Sequence, residues 1–183
     1  GVLSKNKKDK LKVKLRDFNS ENLQSLTSVK LGGMINGDLE IYDSFSDLEL
    51  KSNVFVNDLV ISGDTLGKFK GEVDWINKSR KMILDVDLIK DNLVITHAKG
   101  QYNAKDFESP LDIDFSIKDA KFSILETFLL GYVVDMKGLA NGNVHLSGSL
   151  EEPDWKGRIG FLDAGFKLDY FKTYYEFTDE IIF

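Results

Sequence analysis

His97 and His145 are the only histidines in a chain with no cysteine, so metal or nucleophilic chemistry would have to be built from them and from carboxylates. Neither has the i, i+4 spacing or the cysteine companions of a metal site. His145 lies on the polar side of an alternating segment, between Val144 and Leu146, and His97 follows Leu93 to Thr96 at what reads as a strand end. The stretch Gly63-Asp64-Thr65-Leu66-Gly67-Lys68 ends in Gly-Lys, but Phe69 stands where a phosphate-binding loop needs a hydroxyl. Ser147 lacks the G-x-S-x-G frame of a nucleophile elbow. Carboxylates recur as pairs, Asp85/Asp87 and Asp112/Asp114. Such pairs can bind calcium or transfer protons, yet acids at every second position, without the Gly-Asp spacing of a calcium loop, read as the solvated face of a sheet. The expectation is a non-enzyme with no catalytic residue, metal ligand or cofactor.

The elements that would position these groups alternate with period two. Leu84, Val86 and Leu88 alternate with Asp85 and Asp87. Leu111, Ile113, Phe115 and Ile117 alternate with Asp112, Asp114 and Ser116, and Val144 and Leu146 flank His145. Successive strand side chains point to opposite faces, so each segment has one dry and one wet face. Strands of a buried parallel sheet would instead read as continuous apolar runs. Turn residues punctuate the segments at short spacing, as in Asn36-Gly37, Asn77-Lys78-Ser79 and Lys90-Asp91-Asn92. The chain's 2 prolines suit long ladders that need every backbone N–H. Two stretches break the pattern, Ser20 to Leu26 and Ile124 to Leu130. Each reads as a short helix, with Ser20 and Ser123 as N-caps.

Composition narrows the class. With 42% hydrophobic and 30% charged residues in 183, the chain is neither membrane-spanning nor disordered. A net charge of -6 argues against nucleic acid, which needs a clustered basic patch. The one basic run, Lys5 to Lys14, reads as a solvated strand face after a frayed terminus. No apolar run reaches the roughly 18–20 residues of a transmembrane helix, and no secretory signal opens the sequence. The start, Gly1-Val2-Leu3-Ser4, has no initiator Met and reads as the beginning of an internal segment.

The sequence also resembles itself. Gly33 to Ile41 (GMINGDLEI) matches Gly138 to Leu146 (GLANGNVHL) at an offset of 105. The match resumes after a small gap, Phe55 to Ile61 over Leu162 to Leu168, with positions 59 and 61 on 166 and 168. The expected organisation is a single fragment, 1–183, of a larger repeat-built rod, with repeat units 15–104 and 119–183.

From Met136 to Phe183 the skeleton is Gly138, Gly142, Val144-x-Leu146, Ser147-Gly148-Ser149-Leu150 and Pro153. It continues with Gly157-x-Ile159-x-Phe161, Ala164-x-Phe166-x-Leu168 and Tyr175-x-Phe177. This resembles the repeating motif of the TamB/AsmA-like family, G-x-x-x-G-x-apolar-x-apolar-x-G-x-apolar-x-x-P followed by further strands. Phe122-Ser123-Ile124-Leu125 resembles the short helix ahead of that motif. The resemblance covers about the last 65 residues; over 15–75 it is weaker, with Asp43 where Gly148 stands and no proline after it.

The resemblance implies an all-β fold: an elongated, curled antiparallel or mixed sheet, a taco-like trough with one or two short helices. It implies a lipid-transport role in the bacterial cell envelope, in which an apolar groove conducts phospholipid acyl chains between inner and outer membranes or supports outer-membrane protein assembly and biogenesis. The protein would be periplasmic, part of an inner-membrane-anchored chain, and would reach an outer-membrane Omp85-type barrel (TamA-like) through its full length. The groove would be lined by Leu84, Val86, Leu88, Leu111, Ile113, Phe115, Val144, Leu146, Ile159, Phe161, Phe166 and Leu168. The alternative is a structural or interaction β-sandwich module of a secreted or surface protein, in which the same residues are ordinary core.

Overall fold

A computed structural model describes residues 10–26, 30–42, 47–61, 63–123, 133–149 and 151–182. Its strands are β1 (Lys10–Asn19), β2 (Leu31–Tyr42), β3 (Glu49–Ile61), β4 (Asp64–Ile76), β5 (Lys81–Lys90), β6 (Leu93–Asn103), β7 (Leu111–Lys121), β8 (Val133–Gly148), β9 (Pro153–Leu168), β10 (Thr173–Phe177) and β11 (Glu180–Ile182). All belong to one sheet in chain order, β1 to β10, and β11 pairs with β9 beside β10. Every pairing is antiparallel. The fold is therefore all-β and purely antiparallel, with β1 and β10 as open edges of a single curled sheet.

Alternation turns into two faces because the strands stay in register. In β7, Leu111 and Ile113 are buried while Asp112 and Asp114 are exposed. One row of mutually paired residues runs Leu11, Ile41, Leu50, Trp75, Met82, Tyr102 and Leu111 across seven strands. Another runs Phe18, Ile35, Val56, Phe69, Leu88, Thr96 and Ile117. Residues directly opposite each other in a ladder share a face, so these rows form one apolar surface along the length of the sheet.

That surface is concave where β7 to β10 meet. Phe122, just past β7, and Phe177 on β10 are three strand positions apart, about 14 Å in a flat sheet. Their ring centroids are 5.7 Å apart. Phe161 on β9 stands edge-on to both, at 4.9 Å from each.

The curl is accompanied by bulges held in the same way at two places. β1 slips between Leu15 and Phe18 and β7 between Ile117 and Ala120. The extra residues include Asp17 and Asp119, both at positive φ (48° and 51°), a conformation that Asp tolerates better than most residues. Asn36 Oδ1 accepts the Asp17 N–H at 3.0 Å, and Asn141 Oδ1 accepts the Asp119 N–H at 2.9 Å. Each asparagine Nδ2 also donates to the carboxylate of the same aspartate. On the next strands Gly33 and Gly138 (φ 120° and 101°) face Asp58 and Asp163 (φ 49° and 47°) across further bulges. Asp58 and Asp163 are separated by 105, as are Asn36 and Asn141. The gap expected between residues 41 and 55 is thus absent: Val54 pairs with Gly37 and Ile159 with Gly142, which keeps the offset at 105.

Two smaller expectations are corrected. Ser20–Leu26 is a 3-10 helix, but Asn19 caps it, its Oδ1 accepting the Glu21 N–H at 2.9 Å. Ser20 Oγ is buried and finds no partner among the described residues. The second expected helix, Ile124 to Leu130, lies outside the described residues. His97 is not at a strand end either, because β6 runs on to Asn103. Ala98 and Gly100, too small to register as apolar positions, carry its dry face.

Candidate functional site: the apolar face of the sheet

All twelve residues expected to line a groove lie on the one apolar face. Leu84, Ile113 and Leu146 share a row through Gly100, and that row ends on Trp155. Val86, Phe115 and Val144 form the next row through Ala98. Leu111 belongs to the row of Trp75 and Met82, whereas Leu88 and Ile159 belong to that of Phe69 and Ile117.

Ten of the twelve fall into two groups, Leu88 and Val144 lying outside both. Leu111 and Ile113 pack with Ala98, and around them lie Leu84, Val86, Phe115 and Leu146. Phe161 packs with Phe122, Val133, Met136, Ala140 and Ala164, and Ile159, Phe166 and Leu168 lie against that cluster. Phe166 stacks on Tyr175, 5.8 Å between centroids. The second group fills the concavity with its own aromatic rings.

Sequence reading missed the lining of β1 to β4. Leu15, Ile35, Leu39, Val54, Val56, Phe69 and Trp75 continue the same rows. The alternation of Val54 and Val56 was the available signal, masked by Phe55, an apolar residue that pairs with Lys70 on the wet face.

Coverage of this face is incomplete. Leu111, Ile113, Val144 and Phe161 retain 4–8% of their accessible surface, and the other eight expected lining residues are half-buried. No large side chain among the described residues is less than 2% exposed. A closed two-sheet core would bury several such side chains outright.

The opposite face is a lattice of charge pairs. Lys10 and Lys12 both reach Glu40, at 2.8 and 2.9 Å. Lys99 meets Asp85 at 2.9 Å. Each histidine bridges an aspartate pair: His97 Nδ1 is 2.8 Å from Asp87 with Asp85 at 3.8 Å, and His145 Nδ1 is 2.8 Å from Asp114 with Asp112 at 3.9 Å. The paired carboxylates thus solvate and cross-link the outer face. No group of three or more His, Asp or Glu among the described residues could hold a metal ion.

The hydrogen bond from Lys10, then those from Tyr42 and Lys12, hold the Glu40 carboxyl down at about 2. A depressed carboxylate stabilises the fold above its ordinary value of 4.5 and loses that contribution as pH falls toward about 2. An NMR titration of Glu40 is therefore expected to show a midpoint near 2, and Lys10→Met should move it back toward 4.5. A wild-type midpoint at 4.5 would show that these pairs do not persist in solution.

Comparison of the chain with family models, curated proteins and solved structures gave no match.

Proposed function

We propose that this chain is a non-catalytic, lipid-binding groove segment of a bacterial envelope protein, and that its apolar face holds phospholipid acyl chains. The observation that carries this reading is the apolar surface shared by nine consecutive strands and left only partly covered. An extended apolar surface of this kind usually marks a binding site. Each methylene taken from water contributes about 0.8 kcal/mol. Parallel rows offer that gain repeatedly without one deep site, so an acyl chain can slide while its headgroup stays in solvent. The aromatic cluster around Phe161 occupies its own stretch, so the acyl chains lie over the rest of the face, from β1 to the Leu146–Trp155 pair. The wider role suggested by the sequence resemblance is phospholipid transport between inner and outer membranes or outer-membrane protein assembly, within a periplasmic, inner-membrane-anchored chain that meets an Omp85-type barrel.

The two tryptophans make the test direct. Trp75 pairs with Leu50 and Met82, and Trp155 pairs with Leu146 and lies 6.1 Å from the Phe115 ring. Both belong to the apolar face. Phosphatidylcholine brominated on its acyl chains should quench their fluorescence, whereas unbrominated lipid should not. Phe115→Asp should abolish quenching with the β circular-dichroism signal intact, and Ile83→Asp, on the wet face, should leave it unchanged. Absence of quenching in a folded wild-type protein at saturating lipid would sink the proposal.

A further inference from the structure

One cleft beside the apolar face is lined by polar groups that the fold leaves unused. Its volume is about 420 Å³, and its polar lining is Asp58, Thr65, Lys68, Lys90, Asp91 and Asn92. Among the described residues, none of these six side chains has a hydrogen-bond or ion-pair partner. A second cleft, of about 430 Å³, is different. Its His97, Lys99, His145 and Lys156 are each held by an aspartate, at 2.8–2.9 Å, and so are committed to the fold. The first cleft adjoins the apolar face directly. Lys68 pairs with Ile89, and the next pair along the same two strands is Phe69 with Leu88, part of an apolar row. Alternation along β5 places Lys90 on the side of Leu88, where it is half-buried.

We infer that this cleft holds a zwitterionic phospholipid headgroup, one that joins a phosphate to a primary amine as phosphoethanolamine does. The charges decide the class. Two ammonium groups and two carboxylates line the cleft, so a purely anionic group would face Asp58 and Asp91, and a purely cationic one would face Lys68 and Lys90. A zwitterion satisfies both signs. Lys68 and Lys90 donate to the phosphate oxygens, and Asp58 and Asp91 accept from the amine. Thr65 and Asn92 supply neutral hydrogen bonds. The site depends on the acyl-chain reading of the apolar face, because a chain lying along the row of Phe69 and Leu88 brings its headgroup to this point.

Headgroup comparison tests this. Acyl-brominated phosphatidylethanolamine should reach half-maximal tryptophan quenching at about a fivefold lower concentration than acyl-brominated phosphatidylcholine, whose quaternary ammonium donates no hydrogen bond. Asp58→Asn/Asp91→Asn should erase that difference. Lys68→Gln/Lys90→Gln should weaken binding of both lipids. Lys51→Gln/Lys70→Gln, at exposed lysines outside the cleft, should weaken neither. Glycerophosphoethanolamine, the headgroup without chains, should shift the Lys68 and Lys90 amide resonances, and inorganic phosphate should shift them less. Equal midpoints for the two lipids on the wild-type protein would overturn the headgroup site and leave acyl-chain binding standing. Quenching by neither lipid would remove both. Equal shifts from inorganic phosphate, or equal weakening by the Lys51/Lys70 variant, would also overturn the site.

Discussion

Replacing Phe161 with alanine is expected to lower the free energy of unfolding by about 3–5 kcal/mol. Phe161 is 8% exposed, and its ring meets those of Phe122 and Phe177 edge-on at 4.9 Å. Truncation removes the ring's burial, breaks two aromatic contacts and leaves a void that the backbone of a long ladder cannot collapse to fill. A domain of this kind is stable by about 5–15 kcal/mol, so the loss is a large fraction of the total. Leu84→Ala is the comparison. Leu84 is half-buried on the same face, so its truncation removes less buried surface and costs distinctly less. Denaturant unfolding measures both, as a shift in midpoint at constant slope. Equal costs would mean that Leu84 is covered as fully as Phe161.

The second large effect is at Gly138. An alanine Cβ there would lie 2.5 Å from Ala164 Cα and 2.7 Å from the Asp163 carbonyl oxygen, in a residue whose φ is +101°. Gly63 has nearly the same φ, +100°, with nothing within 4 Å of the added atom. Gly63→Ala therefore isolates the conformational strain, about 1–3 kcal/mol. Gly138→Ala carries the same strain plus a clash with backbone that cannot swing aside, a further 1–3 kcal/mol or so. If thermal unfolding gave the two variants equal losses, the close approach of β8 to β9 at the Asp163 bulge would not be a feature of the folded protein.

These two sites also mark what the sequence made legible. Period-two alternation in Leu111 to Ile117 placed the strand, its wet acids and its dry face correctly, because one-sided burial leaves a pattern that neighbours cannot disguise. The bulges were not legible. An aspartate in a left-handed conformation, such as Asp119, reads like any polar residue on a wet face. The phase slip from Ile117 to Ala120 shows only as two polar residues in succession. The partner that identifies the bulge, Asn141, is 22 residues away. The expected gap in the repeat arose from the same blindness: aligned by apolar positions, Leu59 falls on Phe166, whereas backbone pairing equates it with Ala164, the small residue after Asp163. In β3 the dry face of Val54 and Val56 is masked because Phe55 breaks the alternation from the outside. Asn19 and Ser20 are both good caps and differ by one position, so the sequence alone does not separate them.

The order of strands in the sheet has a mechanical consequence. From β1 to β10 each strand pairs with its neighbour in the chain, and only β11 reaches back past one strand. Most ladders therefore close loops of only a few residues, so the contact order is low for an all-β chain and folding can advance hairpin by hairpin without waiting for distant segments. Tension applied between β1 and β10 meets the ladders one after another and peels the strands singly, so the load at any moment falls on a single seam. Lengthening such a sheet needs only one more hairpin of the same pattern, with no change of topology, and its reach is set by how many hairpins the gene encodes.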